Sequence, residues 1–472
     1  MNLNQTLQEK YPHLEISVLK LSEVQKDNES KRIDSEFFKK EYFDAMETMQ
    51  LNQVEYLGDN MKFNSRYSQP KYDETSKIKV INSQYIRNEY IDYENAKSGY
   101  GKIVPKESVL INATGVGTLG RVFINILDFD FSIDSHINVI VVKNKTYLNP
   151  YFLAIFLQSY YGQIQIIRYY SGTSGQIEIY PRDFNYFKIP IFPMEFQLEI
   201  QNLVKDSHKA LEESKELYKK AEETLYLELG LDPKNPLQSL LDSKTNNPTN
   251  SPNISIHTLK ESFLKTGRLD SEYYQSKYED IEKFIKSYPN GYDSFSNIIN
   301  NKDTNFTPKN NENYSYIELA NIGNNGNISE PISDLGKNLP TRARRIVSKG
   351  DVIISSIEGS LSSCALITQE FDKHLVSTGF FVLNSKLLNG ETLLVMFKSQ
   401  IFQEYLKKFP SGTILCAINK EELSKILIPK IDPTTQEKIA KYIQESFNLR
   451  KKSKQLLDNA KNKVEEQIQG KT

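Results

Sequence analysis

The sequence is poor in the residues that usually announce chemistry. It holds two cysteines, Cys364 and Cys416, and five histidines, His13, His136, His208, His257 and His374, in 472 residues. Neither set has disulfide-framework or metal-ligand spacing, so buried thiols are expected, with no metal and no other cofactor. No G-x-x-x-x-G-K-[ST] segment occurs, which excludes a P-loop motor or NTPase on this chain. Carboxylates are plentiful but form no recognisable catalytic set, and the expectation is a protein without catalytic activity of its own. Long apolar runs are missing too. The longest, Tyr151–Leu157, is far short of a membrane span. Met1–Lys10 is polar and lacks the apolar stretch of a signal peptide, so a cytoplasmic, reducing location is expected. Cationic excess is also absent: the net charge is −1 and the sequence pI ≈ 6.6. A free-standing DNA binder is usually more basic, so DNA binding would need local patches or positive surface from partners.

What the chain does have is apolar content, at 38%, with 28 Tyr and 24 Phe. That suffices for sizeable cores, and the length suits two domains better than one. The strongest signal is internal repetition. Arg32-Ile33-Asp34-Ser35-Glu36-Phe37-Phe38 returns as Arg268-Leu269-Asp270-Ser271-Glu272-Tyr273-Tyr274. Val109–Asn112 returns as Val352–Ser355, Ser171-Gly172-Thr173 as Ser411-Gly412-Thr413, and Gln197-Leu198-Glu199-Ile200 as Gln436-Glu437-Lys438-Ile439. Four matches in one order, always about 240 residues apart, mean duplicated domains and not a solenoid, whose repeats are far shorter.

Each half reads as a mixed α+β globule. A short amphipathic helix is predicted over Ser35–Met49 and again over Ser271–Lys286. Short β-type runs bounded by Asn, Gly, Ser and Pro follow, then a helix at Pro150–Tyr160 or Glu391–Lys407. Each half closes with a long helix beginning near Pro193 or Pro433. In the first, Val204, Leu211, Tyr218 and Leu225 recur every seven residues, beside a row of Ile200, Ser207, Ser214 and Ala221. In the second, Ile443, Arg450, Leu457 and Val464 accompany Ile439, Ser446, Ser453 and Ala460. Heptad spacing makes both helices seam-forming, and the shared small residues let two backbones approach, so the helices are predicted to pack on each other. The alternative is that each lies on its own domain. Asp242–Ser255, rich in Asn, Ser and Pro, reads as a solvated linker.

Two motifs invite enzymatic readings that their context does not support. Gly115-Val116-Gly117-Thr118-Leu119-Gly120 fits a dinucleotide loop, but Arg121–Ile126 after it is β-like, where such a loop needs a helix. A glycine-rich hairpin or DNA-facing loop is expected instead, with Thr118 and Arg121 on it and Ser360 on its counterpart Glu358–Leu361. Asn149-Pro150-Tyr151-Phe152 faintly matches an amino-methyltransferase motif but lacks its second proline, and a turn before a helix is expected. Candidate DNA contacts lie in three places. Arg342, Arg344 and Arg345 cluster before a predicted strand, and guanidinium forks match both phosphate and guanine. Asn64, Arg66, Tyr67, Gln69 and Lys71 share one predicted loop, where amides can read adenine. Ser171, Thr173, Ser411 and Thr413 offer hydroxyls and backbone N–H groups to phosphates. For each of these, a plain surface face or turn is the competing reading.

Taken in order and twice over, these features resemble the specificity subunits of type I restriction–modification systems, from about residue 15 to 470. The resemblance rests on the Arg-(Ile/Leu)-Asp-Ser-Glu openings and on Val104–Ile111 with Val347–Ile354. It rests also on the Ser-Gly-Thr loops, and on Ile189-Pro190 and Ile428-Pro429, each followed by Gln-x-x-Ile. It implies an α+β fold of two tandem similar target-recognition domains, each followed by a long helix, the helices forming an antiparallel coiled coil. The implied boundaries are a first recognition domain over 1–193, a helix over 194–230 and a linker over 231–257, then a second recognition domain over 258–432 and a helix over 433–472. It further implies a split site on double-stranded DNA, two docked methyltransferase subunits carrying S-adenosylmethionine, and motor and nuclease subunits in a restriction form. The competing reading is a two-domain protein-interaction adaptor that reads no DNA.

Overall fold

The computed structural model describes residues 3–16, 18–26, 28, 31–172, 175–242, 256–412 and 416–471. Of the linker expected over 231–257, residues 243–255 lie outside them, whereas Pro236–Asp242 is a short helix and Leu231 and Leu240 are buried in the second unit's core. The chain divides into two compact units, Met1–Glu212 with Arg450–Thr472, and Glu213–Leu449, so both boundaries fall inside the long helices.

In the first unit, Met61–Arg66, Ile137–Val142, Val109–Asn112 and Val122–Ile124 form an antiparallel sheet in that spatial order. Strand side chains alternate between faces. Val109, Ile111, Val122, Ile124 and Ile140 therefore pack on helices Pro150–Gln158 and Tyr160–Tyr169, while Leu110, Phe123 and Val139 pack on a second sheet. That sheet runs Lys71–Tyr72, Lys97–Tyr100, Lys79–Ile81, Phe131–Ile133, its last pair parallel. Burial on both faces explains why Val109–Asn112, Val122–Ile124 and Ile137–Val142 read as nearly continuous apolar runs.

The second unit repeats the plan. Ile299–Asn301, Phe380–Ser385, Val352–Ser355 and Cys364–Leu366 make the first sheet. Val352, Ile354, Cys364 and Leu366 face the helices, and Ile353, Ala365 and Val382 face the other way, onto a second core. Ile332–Leu335, Asn313–Ile317, Leu375–Ser377 and Ala343–Ile346 make the second sheet.

The repeated motifs have repeated jobs. Arg32 pairs with Asp34 and donates to the carbonyls of Arg168 (3.2 Å) and Tyr170 (2.7 Å). Arg268 pairs with Asp270 and reaches Phe409 (3.3 Å) and Pro410 (2.8 Å). Each arginine thus clasps the chain just before a Ser-Gly-Thr loop. Gln197 accepts from Asn149 N–H (2.7 Å) and donates to the Tyr147 and Phe192 carbonyls. Gln436 does the same with Asn389 N–H (2.9 Å), Leu387 and Ile431. Asn149 caps Pro150–Gln158 by accepting from Tyr151 N–H at 2.9 Å, which accounts for its Asn-Pro-Tyr-Phe segment.

Three predicted helices differ from the structure. The helix expected over Glu391–Lys407 is Gly390–Lys398 followed by Gln400–Leu406, broken where Ser399 is extended and caps the second piece. The chain breaks the same way at Ser159. The helices expected from Ser35 and Ser271 begin instead at Lys40 and Ser276, because Asp34 and Asp270 hold the preceding residues in a turn.

The long helices are Met194–Glu228 and Pro433–Ile468. Within the first unit, Ser207 Oγ lies 2.9 Å from Ser453 Oγ, and Lys463 pairs with Glu199 at 2.8 Å. Within the second, Ser214 Oγ lies 3.0 Å from Ser446 Oγ, and Thr435 donates to Glu228 at 2.7 Å. Rising numbers on one helix meet falling numbers on the other, so in each unit the segments run antiparallel. Val204, Leu457, Ala460 and Val464 also enter the first unit's core, and Tyr218, Ala221, Leu225 and Ile443 the second's. Leu211 is buried as well. Arg450, the charged exception in the heptad row, lies near Glu89, Tyr90 and Glu212, and burial lowers its pKa.

Candidate nucleic-acid interface

The glycine-rich segment of the first unit is a tight turn joining the paired strands Val109–Asn112 and Val122–Ile124. Gly115, Gly117 and Gly120 all have left-handed φ, at 91°, 78° and 82°. Thr118 Oγ1 donates to the Thr114 carbonyl at 2.9 Å, and Arg121 donates to the Gly117 (2.7 Å) and Ile86 (3.3 Å) carbonyls. No helix follows the turn, so it lacks the N-terminal dipole of a dinucleotide site.

Around this turn the fold gathers polar groups from distant segments. His136 Nδ1 lies 2.9 Å from Thr114 Oγ1. Ser135 donates to Gln69 at 3.0 Å, which joins the Asn64–Lys71 segment to the same strip. Thr114 and Ser171 both bridge to Glu178. The Ser171 N–H, considered as a phosphate donor, bonds the Glu178 carbonyl at 2.8 Å. Gly172 is required between them, because a Cβ there would sit 2.1 Å from the Gln176 carbonyl oxygen. In the second unit Ser411 pairs with Ala417, and Ser360 Oγ contacts Ser355 Oγ at 2.7 Å. Thr173 and Thr413 lie outside the described residues.

The structure sorts the remaining candidates by exposure. Arg66 is turned inward, donating to Glu178 and the Ile179 carbonyl. Asn64 donates to the Pro181 carbonyl at 2.6 Å, and Tyr67 is buried, which pushes its phenol pKa up. Gln69 and Lys71 are exposed, and Lys71 pairs across the sheet edge with Tyr100. In the second unit, Arg342, just before the strand Ala343–Ile346, and Arg344 on it are exposed, while Arg345 turns in beside a bulge in the pairing and donates to the Phe380 carbonyl. Burial lowers the Arg345 pKa.

Sequence reasoning passed over other groups beside these. Lys102 Nζ lies over the rings of Phe63 (4.7 Å) and Tyr67 (4.9 Å). The Tyr180 ring has Arg66 at 5.7 Å and Arg182 at 5.3 Å. Tyr72 and Tyr100 are exposed on the sheet edge. The interleaved pattern Lys97-Ser98-Gly99-Tyr100-Gly101-Lys102 was the available signal, since lysine ammonium groups and a tyrosine hydroxyl can hold phosphate. Such a surface can hold phosphate and read base edges. Among the described residues no group of His, Cys, Asp and Glu is placed to hold a metal, and no helix is long and apolar enough to cross a membrane.

Comparison with known proteins bears on this surface. Residues 44–223 match the profile described as type I restriction modification DNA specificity domain. The chain is similar to the specificity subunit of the type I restriction enzyme HindI of Haemophilus influenzae, 30% identical over 159 residues, one third (33%) of each chain. Among solved structures it is similar to a type I restriction-modification S subunit from M. genitalium, with 13% identity, a TM-score of 0.41 and coverage of 88% of this chain and 94% of that one. It is also similar to the HsdS subunit of Thermoanaerobacter tengcongensis, with 14% identity, a TM-score of 0.27 and coverage of 89% and 97%.

Proposed function

We propose that the whole chain, whose residues 44–223 match the type I restriction modification DNA specificity domain profile, is the sequence-reading, non-catalytic subunit of a type I restriction–modification complex. Each unit reads one half of a split site on double-stranded DNA. The observation that carries this reading is the duplication: two units share sheets, clasps and caps, yet differ in the loops and edges that could meet a base. The first presents Lys71, Tyr100 and Lys102 on its edge, the second Arg342 and Arg344. Phosphate contacts set register and base-edge contacts set sequence, so unlike loops on like scaffolds suit two different half-sites.

The paired helices hold the half-sites apart and dock two methyltransferase subunits, which carry S-adenosylmethionine and modify adenine. A helix of this length spans roughly 50 Å, about 15 base pairs. Positive surface from those subunits would explain how a chain of net charge −1 works on DNA. Motor and nuclease subunits complete a restriction form, and the complex works in the cytoplasm.

The test is to co-express the chain with its methyltransferase and map modified adenines in host DNA. A split motif that changes on one side only when residues 258–429 are exchanged is the expected result. A stable complex that leaves no motif would overturn DNA reading and favour the adaptor alternative.

A further inference from the structure

Strand pairing matches the residues of the two units one to one at the edge of the first sheet. Asn112 pairs with Ile137, and Ser355 with Phe380. One residue on, Ala113 N–H donates to the His136 carbonyl and Ser356 N–H to the Gly379 carbonyl, both at 2.9 Å. The next residue bridges to the segment after each Ser-Gly-Thr loop, Thr114 to Glu178 and Ile357 to Ala417. His136 therefore stands where the second unit has Gly379, and Thr114 where it has Ile357.

The backbone does the same work in both units, but the side chains do not. His136 is exposed, and its Nδ1 lies 2.9 Å from Thr114 Oγ1. Gly379 does not have left-handed φ, and a Cβ built on it would make ordinary contacts, with Ser377 Oγ at 3.5 Å and Ile357 Cδ1 at 3.8 Å. The position thus requires neither glycine nor histidine for folding. Buried Asp134 accepts the His136 backbone N–H at 2.9 Å and fixes the turn that carries the ring. An imidazole held at one nitrogen has its other nitrogen aimed in advance. When the Thr114 hydroxyl donates to Nδ1, and also when the ring is charged, Nε2 carries a hydrogen and is a donor.

The surroundings decide what that donor meets. Ser135, beside it, donates to exposed Gln69. At the end of the glycine-rich turn, Arg87 and Arg121 donate to one shared carbonyl, that of Ile86, at 3.0 and 3.3 Å. Glu89, close to Arg87, feels Lys454 and Arg450 more strongly. Two guanidinium groups brought together suit phosphate, which leaves the fixed ring beside them free for a base edge.

We propose that His136, positioned by Thr114, reads one base pair of the first unit's half-site by donating from Nε2 to the major-groove edge of guanine. Guanine presents only acceptors there, N7 and O6, whereas adenine presents an amino donor in place of O6. This deepens the proposed function and rests on it. Gly379 and Ile357 leave the second unit without the contact, so the two half-sites differ at this place in the scaffold.

The experiment uses the full chain assembled with its methyltransferase. Modified adenines are mapped for wild type, His136→Ala and Thr114→Val. DNA affinity is then measured on duplexes in which each guanine of the first half-site is replaced in turn by adenine, with its pairing partner. The first half-site is the side left unchanged when residues 258–429 are exchanged. One such replacement is expected to weaken wild-type binding about tenfold or more and to weaken His136→Ala no further. The mapped motif of His136→Ala should accept either purine at that position alone, and Thr114→Val should relax the same position to a smaller degree. Melting curves of His136→Ala should match wild type, because the ring is exposed. A first half-site without guanine, or an unchanged motif in both variants, would overturn the readout and leave the proposed function intact. Weakening that is uniform across sequences, with a shallower salt dependence, would make His136 a phosphate contact and also overturn it. A wild-type complex that leaves no motif would overturn the proposed function itself.

Discussion

The hydroxyls of Ser207 and Ser453 face each other at 2.9 Å across the two long helices, and Ser207 also reaches the Ser453 carbonyl at 2.9 Å. Both serines are buried. A branched side chain at either position has nowhere to go without pushing two helix backbones apart.

Ser207→Leu should therefore destabilise the first unit by about 1–3 kcal/mol through overpacking. Ser207→Ala should cost about 1 kcal/mol, the worth of a hydrogen bond. Urea denaturation separates the two, and equal midpoints for Ser207→Leu and wild type would show that the seam is not close-packed.

Gln197 ties the start of one helix to the cap of another through three hydrogen bonds, as Gln436 does in the second unit. Gln197→Leu leaves a buried N–H and two carbonyls unmet. The expected loss is about 2–4 kcal/mol, more than for an ordinary surface change. Hydrogen exchange at the Asn149 amide should rise before global unfolding, and unchanged protection would refute the clamp.

The arginine candidates divide into two classes with opposite phenotypes. Arg342→Ala and Arg344→Ala should weaken DNA binding by the assembled complex about tenfold each, with little change in melting temperature. Arg66→Ala and Arg345→Ala should lower the melting temperature instead, because each leaves buried carbonyls unpaired. Salt-dependent DNA affinity and thermal melting, measured on the same four variants, test the division.

The clasp also predicts a pH response. The hydrogen bond from Arg32 holds the Asp34 carboxyl below its usual range against the opposing effect of burial, and the Phe37 N–H adds to the lowering. A depressed folded pKa means stability that is present above the unfolded carboxylate pKa and lost as pH falls through the folded value. Asp34→Asn should remove this share of the acid-side loss, so its melting temperature falls less steeply between about pH 5 and 3 than that of wild type. Parallel curves for the two proteins would show that the pair contributes nothing to stability.

The duplication, the α+β class and the small-residue row of the helices were legible because each rests on pattern within the chain. The row Ser207, Ser214, Ser446, Ser453 needed only heptad spacing to be read. What Arg32 and Gln197 do was not legible, because their partners are carbonyls more than a hundred positions away or a cap on another helix, and backbone atoms leave no mark in a sequence. The loop candidates fared unevenly for a related reason. Arg342, Arg344 and Arg345 look alike in sequence, and only where the strand begins and where its pairing bulges decides which face outward. Arg66 was read as a loop residue and lies at the end of a strand, facing Glu178. The helix break at Ser399 was hidden because serine is tolerated inside helices and favoured at their caps.

Leu457, Ala460, Val464 and Ile468 belong to the first unit's core, where Asn52 donates to the Ile468 carbonyl at 2.9 Å and Tyr160 N–H to Glu465 at 2.7 Å. During translation these residues emerge after the entire second unit, a delay on the order of tens of seconds. The half of the protein that is made first is therefore finished last. Through that interval the core that holds Ile200 and Val204 lacks its last four members, while the later-made unit already has all its parts. Folding order runs against synthesis order, and a ribosome stalled between residues 430 and 450 would carry a nearly finished second unit beside an open first one, a species that would engage chaperones by its N-terminal half.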